Sequence, residues 1–243
     1  ALLVMEAVDS GRLSLDQEIT ASSTIESLDT AGSTAGIKTG EIMTVEQLLY
    51  CMLVVSANEA CVILAEAVAG SVDAFVDRMN QRAQELGCQN THFVNATGLH
   101  DPQHYTSAWD LYLITKEALT HEDFLTICDM RQPVIPATNL SAERTLHTTN
   151  SLLDGWRALG YRYKYAHGVK TGSTSDAGHC LVSTAEKGEL HLVSVVLGAE
   201  KVSLPTGGSD IKSFSETRRL FDWGFDNFSY QTILTAEEML ASM

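Results

Sequence analysis

Residues 44–70 read TVEQLLYCMLVVSANEACVILAEAVAG. Thr44 and Gln47 have the spacing of a capping box, in which a hydroxyl and a side-chain amide three residues on satisfy each other's free backbone amides. The apolar run LLYCMLVV after them predicts a buried helix from 45 to about 55. EACVILAEAVAG predicts a second, and between them stand Ser56, Ala57 and Asn58. Polar side chains at such a break need a reason, because burying one without a partner costs about 1–3 kcal/mol. Asn58 either caps the second helix, a role for which Asn is well suited, or serves a site.

Outward from this pair the helices continue. Ser71 starts a third, with Val72, Phe75, Val76, Met79 and Ala83 on one face and Gly87 at its end. Ser107 with Asp110 opens a fourth through Leu119, and EDFLTIC is a short helical stretch. Upstream, ALLVMEAVDSG has the apolar density of a buried helix ending at Gly11. It starts without a cap, as if inside a helix, and it reads as a fragment of something longer.

Past Pro133 and Pro136 the texture changes. TLHTT, HGVKTGST, HCLVSTA and LHLVSVVLGA are strand-like, and the last two flank the turn-like EKGE as a hairpin. SDIKSFSETRRLFDWGFDNF reads as a closing helix with Ser209 as its N-cap. Helices first and strands late argue an α+β domain over 1–228, with a mostly antiparallel sheet covered by helices. The tail 229–243 reads as the possible start of a further β-rich domain.

Composition excludes several functions. With 16 Lys and Arg against 31 Asp and Glu the net charge is −15, the wrong sign for a protein that displaces counterions from phosphates, so no nucleic-acid partner is expected. No apolar run approaches the roughly 20 residues of a membrane span. The five cysteines and eight histidines are scattered without metal-ligand spacing, and no metal is expected.

Lys-Thr-Gly occurs twice, in GIKTGEI at 36–42 and GVKTGST at 168–174. The first copy sits in a Gly- and Thr-rich loop ahead of a capped helix, which explains it without chemistry. The second lies in a strand beside a hairpin, where a glycine lets a ligand backbone approach. Ser56-x-Asn58 followed by Lys170-Thr171-Gly172 reproduces, in order, two of the three motifs S-x-x-K, S-x-N and K-T-G of the penicillin-interacting serine enzymes.

With these motifs the chain resembles the D-alanyl-D-alanine carboxypeptidases among the low-molecular-mass penicillin-binding proteins. TGLHDPQHYTSAWDL, LVSVVLGA and LFDWGF resemble later family segments in the same order. The resemblance implies the penicillin-binding protein/β-lactamase-like transpeptidase fold with an all-helical subdomain. It also implies that the S-x-x-K serine and lysine stood a few residues before Ala1. The string Ser209–Lys212 falls in the wrong order to replace them.

The resemblance further implies that Ser56 relays a proton and Asn58 holds the substrate amide and the base. Lys170 would supply positive charge, with Thr171 bonding beside it. Gly172 would admit the acyl-D-Ala backbone, and the Ser173 amide would be one oxyanion donor, each such donor being worth about 2.7–4 kcal/mol. Thr174 would have a weaker role, and Lys201 is a candidate for binding the substrate carboxylate.

The implied reaction is removal of the terminal D-Ala from peptidoglycan stem peptides ending in D-Ala-D-Ala, through an acyl-enzyme. It needs no cofactor, takes place in the bacterial cell envelope outside the cytoplasm, and is inhibited covalently by β-lactams; the chain as it stands, without the serine, is expected to be inactive. Membrane attachment would come only through segments outside 1–243. One alternative is a class A-like β-lactamase, against which stands the lack of any Glu with Asn four residues on. The other is a non-catalytic homologue that binds cell-wall peptides.

Overall fold

A computed structural model describes residues 1–29, 32–205 and 207–231 of the chain. Most of the expected tail, from 232 on, lies outside the described residues.

The first part of the chain is helical. Helix α1 (Leu2–Asp9) is followed by β1 (Glu18–Thr20), a 3₁₀ turn (Ser23–Ser27) and β2 (Ile42–Thr44), which pairs antiparallel with β1. Helix α2 (Val45–Val54) starts at Thr44, and both hydrogen bonds of the capping box are formed. Helices α3 (Asn58–Ala69) and α4 (Val72–Glu85) follow, the latter capped by the Ser71 hydroxyl. Helices α5 (Ala108–Ala118) and α6 (Glu122–Cys128) complete this part, with Ser107 capping α5 through the Asp110 amide.

Leu48, Leu49, Ile63 and Leu64 are all at 2% exposure or less and form, with Met5 and Phe124, a single apolar core around α2 and α3. Two helices that are apolar around most of their circumference must lie inside, and the others wrap them. Among the described residues no helix is long and apolar enough to cross a membrane.

The sheet forms from the C-terminal half. After the two-residue strands β3 (Val134–Ile135) and β4 (Arg144–Thr145), the strands β5 (Ala166–Thr174), β6 (Gly178–Lys187) and β7 (Leu190–Ala199) make an antiparallel sheet in the order β5-β6-β7. The stretch TLHTT is strand for only part of its length. Its later amides bond elsewhere, Leu146 N–H to Pro133 O, Thr148 N–H to Arg131 O and Thr149 N–H to Val54 O, which ties the segment to the end of α2.

Strands β8 (Lys201–Ser203) and β9 (Ser209–Ile211) pair, and α7 (Lys212–Asn227) lies against β6 and β7. Here the structure corrects the sequence reading. Ser209 is strand, not a cap, and α7 begins at Lys212 with no side-chain capping bond. Its opening is held instead by the Ile211 amide donating to the Tyr161 hydroxyl at 2.6 Å and the Lys212 amide donating to Glu200 O at 2.9 Å.

A second core of Leu152, Leu153, Leu181, Phe214 and Phe221 fills the space between α7 and the sheet. Ala166 of β5 belongs to this core, whereas Val169 of the same strand belongs to the helical one. Strand β5 is therefore the seam between two packed bodies and also the edge of its sheet. A groove along an edge strand exposes a row of backbone groups that a ligand can pair with.

Candidate active site

Chain geometry at the break between α2 and α3 is unusual. Ser56 has φ +65°, in the left-handed region that costs a side-chain-bearing residue about 1–2 kcal/mol, and strain of this kind concentrates where function over-determines a conformation. Asn58 takes the first helical position of α3, and Ala57 before it makes no side-chain capping bond. Asn58 is 6% exposed, and among the described residues its Nδ2 has no hydrogen-bond partner. The capping role is not filled, and a buried donor is left available.

Two features fix Asn58 from behind. Its backbone amide donates to Ser33 O at 2.9 Å. The neighbouring Glu59 gathers the loop at 34–37 with one oxygen: Oε1 accepts from the Thr34 hydroxyl and from the amides of Ala35, Gly36 and Ile37 at 3.1, 3.0 and 3.2 Å. The loop comes so close that a Cβ on Gly32 would lie 2.3 Å from Asn58 Nδ2. Neither Gly32 nor Glu59 stood out in the sequence, since each acts through partners distant in the chain.

The opposite wall is β5. Its register shifts between His167 and Lys170, so that Gly168 and Val169 form a bulge, a device that re-aims the side chains after it. Gly168 sits at φ +45°, and a Cβ there would lie 2.9 Å from Cys128 Cβ in α6. Its carbonyl accepts from Asn150 Nδ2 at 2.5 Å and from Ser183 Oγ at 2.9 Å.

Beyond the bulge, Lys170 reaches across. Its Nζ donates to Ser56 Oγ at 2.9 Å over a separation of 114 residues, and also to Thr171 O at 2.8 Å. Burial, with a smaller contribution from the positive charge of Arg157, pulls the Lys170 ammonium down to about 8 from its ordinary 10.5. Thr171 Oγ1 donates to Thr149 Oγ1 at 2.6 Å.

Ser56, Asn58, Lys170, Thr171, Gly172, Ser173 and Thr174 line one cleft of about 740 Å³. Gly172 is exposed, and a Cβ there would make only ordinary contact, 3.8 Å from Cys180 Cβ. Packing does not demand glycine at this position. Its lack of a side chain keeps the cleft wall open to a backbone. Thr174 Oγ1 accepts from the Ala177 amide at 2.9 Å and so also closes the turn into β6.

Lys201 is apart from this group. It lines a neighbouring groove with Ser173, Thr174, Asp176 and Glu200. The first Lys-Thr-Gly copy is outside the cleft altogether: Lys38 Nζ donates to Leu140 O at 3.0 Å and Thr39 Oγ1 to Glu26 at 2.8 Å, so both bind loops.

A strained hydroxyl, an available amide and a lysine of lowered proton affinity thus face one another across a groove beside an exposed strand edge. Such a set can hold an extended peptide, shuttle a proton and attract an anion.

Comparison with known proteins shows the family and the fold. The family model for D-alanyl-D-alanine carboxypeptidase, Peptidase_S11, matches residues 1–201. The D-alanyl-D-alanine carboxypeptidase DacF of Bacillus subtilis is 31% identical over 242 residues, covering all of this chain and 58% of that protein. The chain spans about half the length of the curated relatives it matches.

Among solved structures, penicillin-binding protein 6B from Escherichia coli superposes with a TM-score of 0.80 at 30% identity, over 96% of this chain and 70% of that one. Penicillin-binding protein D2 from Listeria monocytogenes, in its cefotaxime-bound form, gives 0.73 at 30% identity over 92% of this chain and 83% of that one. The fold is that of the penicillin-binding proteins, and the chain belongs to the D-alanyl-D-alanine carboxypeptidase family.

Proposed function

We propose that the protein is the greater part of a serine-type D-Ala-D-Ala carboxypeptidase domain over 1–228, which trims peptidoglycan stem peptides outside the cytoplasm of a bacterium. The observation that carries this reading is the 2.9 Å contact between Lys170 Nζ and Ser56 Oγ, within a groove that also holds Asn58 and the open edge at Gly172.

In this reading the stem peptide lies along β5, with its backbone passing Gly172 and its scissile carbonyl oxygen received by the Ser173 amide. A donor held where charge develops only in the transition state lowers the barrier without tightening the ground state. Asn58 Nδ2 donates to the peptide's own carbonyl. Lys170 and Ser56 form a proton path: with its proton affinity lowered to about 8, the amine can release a proton near neutral pH, and Ser56 Oγ is the next oxygen on the way to the leaving nitrogen. Thr171, oriented by Thr149, supplies a hydroxyl at the same end.

The acylating serine and its lysine base are not among residues 1–243 in this reading, so the chain by itself holds substrate without being acylated. Fluorescent penicillin tests it. The complete gene product is expected to be labelled covalently on a serine, and the labelling to be lost when Lys170 is replaced. Peptide binding without any labelling of the complete product would support the non-catalytic homologue instead.

A further inference from the structure

The two walls of the cleft meet a second time, away from Lys170 and Ser56. Thr97, Gly98 and Leu99 line the helical side, and Ser173, Thr174 and His179 the sheet side. His100 follows directly on the first wall, and Asp176 sits in the turn that leads from β5 into β6. His100 Nε2 stands 3.8 Å from Asp176 Oδ2. That is too long for a hydrogen bond, but within reach of an ion pair once the ring is charged. Among the described residues it is the one polar contact between the loop tip at 97–101 and the β5–β6 hairpin.

Each side of the contact is ordered by its own bonds. Asn95 Oδ1 accepts from the amides of Thr97 and Gly98 at 3.2 and 2.7 Å, and its Nδ2 donates to Leu99 O at 2.9 Å, so the loop keeps its own shape. Asn80 ties down its base by exchanging two bonds of 2.8 Å with the backbone of Phe93. Across the gap, the Ser175 hydroxyl donates to Asp176 Oδ2 at 3.1 Å.

We propose that His100 and Asp176 form a latch across the acyl end of the cleft, which a peptide must displace before it can lay a long acyl arm along β5. The inference rests on the carboxypeptidase reading and gives it a residue pair that discriminates by arm length.

Direction along β5 supports it. With the scissile carbonyl at Ser173 and the leaving nitrogen on the side of the Ser56–Lys170 proton path, the arm runs the other way, past Thr174. Asp176 is three residues beyond Ser173, at most about 10 Å along the chain, so an arm of about three residues reaches it. Adjacent extended backbones lie about 4.7 Å apart, and no chain passes through a gap of 3.8 Å. A closed latch and a long arm exclude each other, while a one-residue arm stops short of the pair.

Charge sets the latch. Imidazole takes up a proton in weak acid, so the pair closes as pH falls and loosens as it rises. Other titrating groups stand on both sides. Burial lowers the proton affinity of His104 on the same loop, with Asp101 opposing and His92 and His100 adding to the effect. His179, Glu200 and Lys201 line a groove together with Asp176. All of these are kept in the variants below, so a difference between variants belongs to the pair.

The test is calorimetric titration of chain 1–243 at pH about 8 and about 5.5 with acetyl-D-alanyl-D-alanine and acetyl-triglycyl-D-alanyl-D-alanine, whose arms carry no charge. An exposed ion pair shifts an equilibrium by up to about fivefold. The wild-type preference for the long probe over the short one should therefore fall about two- to fivefold in acid. His100→Gln and Asp176→Asn should abolish that fall and leave short-probe affinity unchanged, and His100→Lys, charged at both pH values, should keep the preference low at both. The pair is 46% and 61% exposed, so unfolding midpoints should not move.

A second readout needs no peptide: Asp176→Asn should shift the amide NMR signals of 97–101 in acid and leave them in place at the higher pH. A wild-type preference that does not fall in acid, one that falls equally in Asp176→Asn, or amide signals indifferent to that substitution would each overturn the latch and leave the peptidase reading standing. If wild type binds neither probe at either pH, the peptidase reading falls, and the arm-length role with it.

Discussion

Replacing Lys170 by Met should stabilise the fold while removing the chemistry. Burial, and secondarily Arg157, lowers the ammonium from 10.5 to about 8. At 1.36 kcal/mol per unit, holding the charge in the cleft at neutral pH costs at most about 3 kcal/mol. Met has a similar length and no charge. Its substitution leaves Ser56 Oγ and Thr171 O without their donor, a loss of about 1–2 kcal/mol in a site that water can partly reach. The net expectation is a gain of about 1–2 kcal/mol at about pH 7.

The pH dependence has a definite sign. Between about 8 and 10.5 the unfolded chain binds more protons at this position than the folded one, so wild-type stability rises with pH across that window. The penalty is complete below the folded value and gone above the unfolded one. The advantage of the Met variant should therefore shrink between pH about 8 and about 10. Urea unfolding of both proteins at several pH values measures this, since other titrating groups cancel in the difference. In the complete gene product, penicillin labelling should fall at least about a hundredfold. A Met variant less stable than wild type at neutral pH, or a difference that does not vary with pH, would refute the claim that the ammonium is held at a cost.

Gly32→Ala would bring a Cβ to 2.3 Å from Asn58 Nδ2, pushing that amide by about 1 Å, a displacement that can cost on the order of a hundredfold in rate; labelling kinetics should show this with the urea midpoint nearly unchanged. Glu59→Ala removes one acceptor from three amides and a hydroxyl, and should cost about 2–4 kcal/mol while hydrogen exchange at 35–37 accelerates sharply. Arg144→Met would strip the fully buried Glu41 of its ion-pair partner. The expected loss is about 3–5 kcal/mol, with Glu41→Gln in the same chain recovering much of it. Burial alone would raise the Glu41 carboxyl, but Thr138, the Lys38 amide, Arg144 and Ser141 outweigh it and hold the group below the usual carboxylate range. Its stabilisation should therefore persist at neutral pH and disappear only as acid takes the pH through that lowered value, which an acid titration of unfolding would follow.

Local physics made much of this protein legible from sequence. The Thr44 capping box, the Ser71 and Ser107 caps and the hairpin around Gly188 depend on residues within about four of one another, and each expected feature is in the structure. Ser209 shows where local reasoning ends. A hydroxyl ahead of an amphipathic stretch has the form of a cap, yet pairing with β8 and the Tyr161 hydroxyl, 50 residues from Ile211, decided otherwise.

The same division runs through the candidate site. Ser56, Asn58 and Lys170-Thr171-Gly172 could be read because each motif is short and contiguous. Gly32 and Glu59 could not, because each acquires its meaning from atoms that only chain closure brings near. By itself the sequence determined which segments are helix and strand and which short motifs carry polar groups, since these follow from side-chain periodicity and neighbouring amides. Only the tertiary structure decided that the bulge at Gly168–Val169 turns Lys170 toward Ser56, and that the described residues lining their cleft include no acid. Such facts depend on the balance of burial and charge across a cleft whose walls are more than a hundred residues apart in the chain.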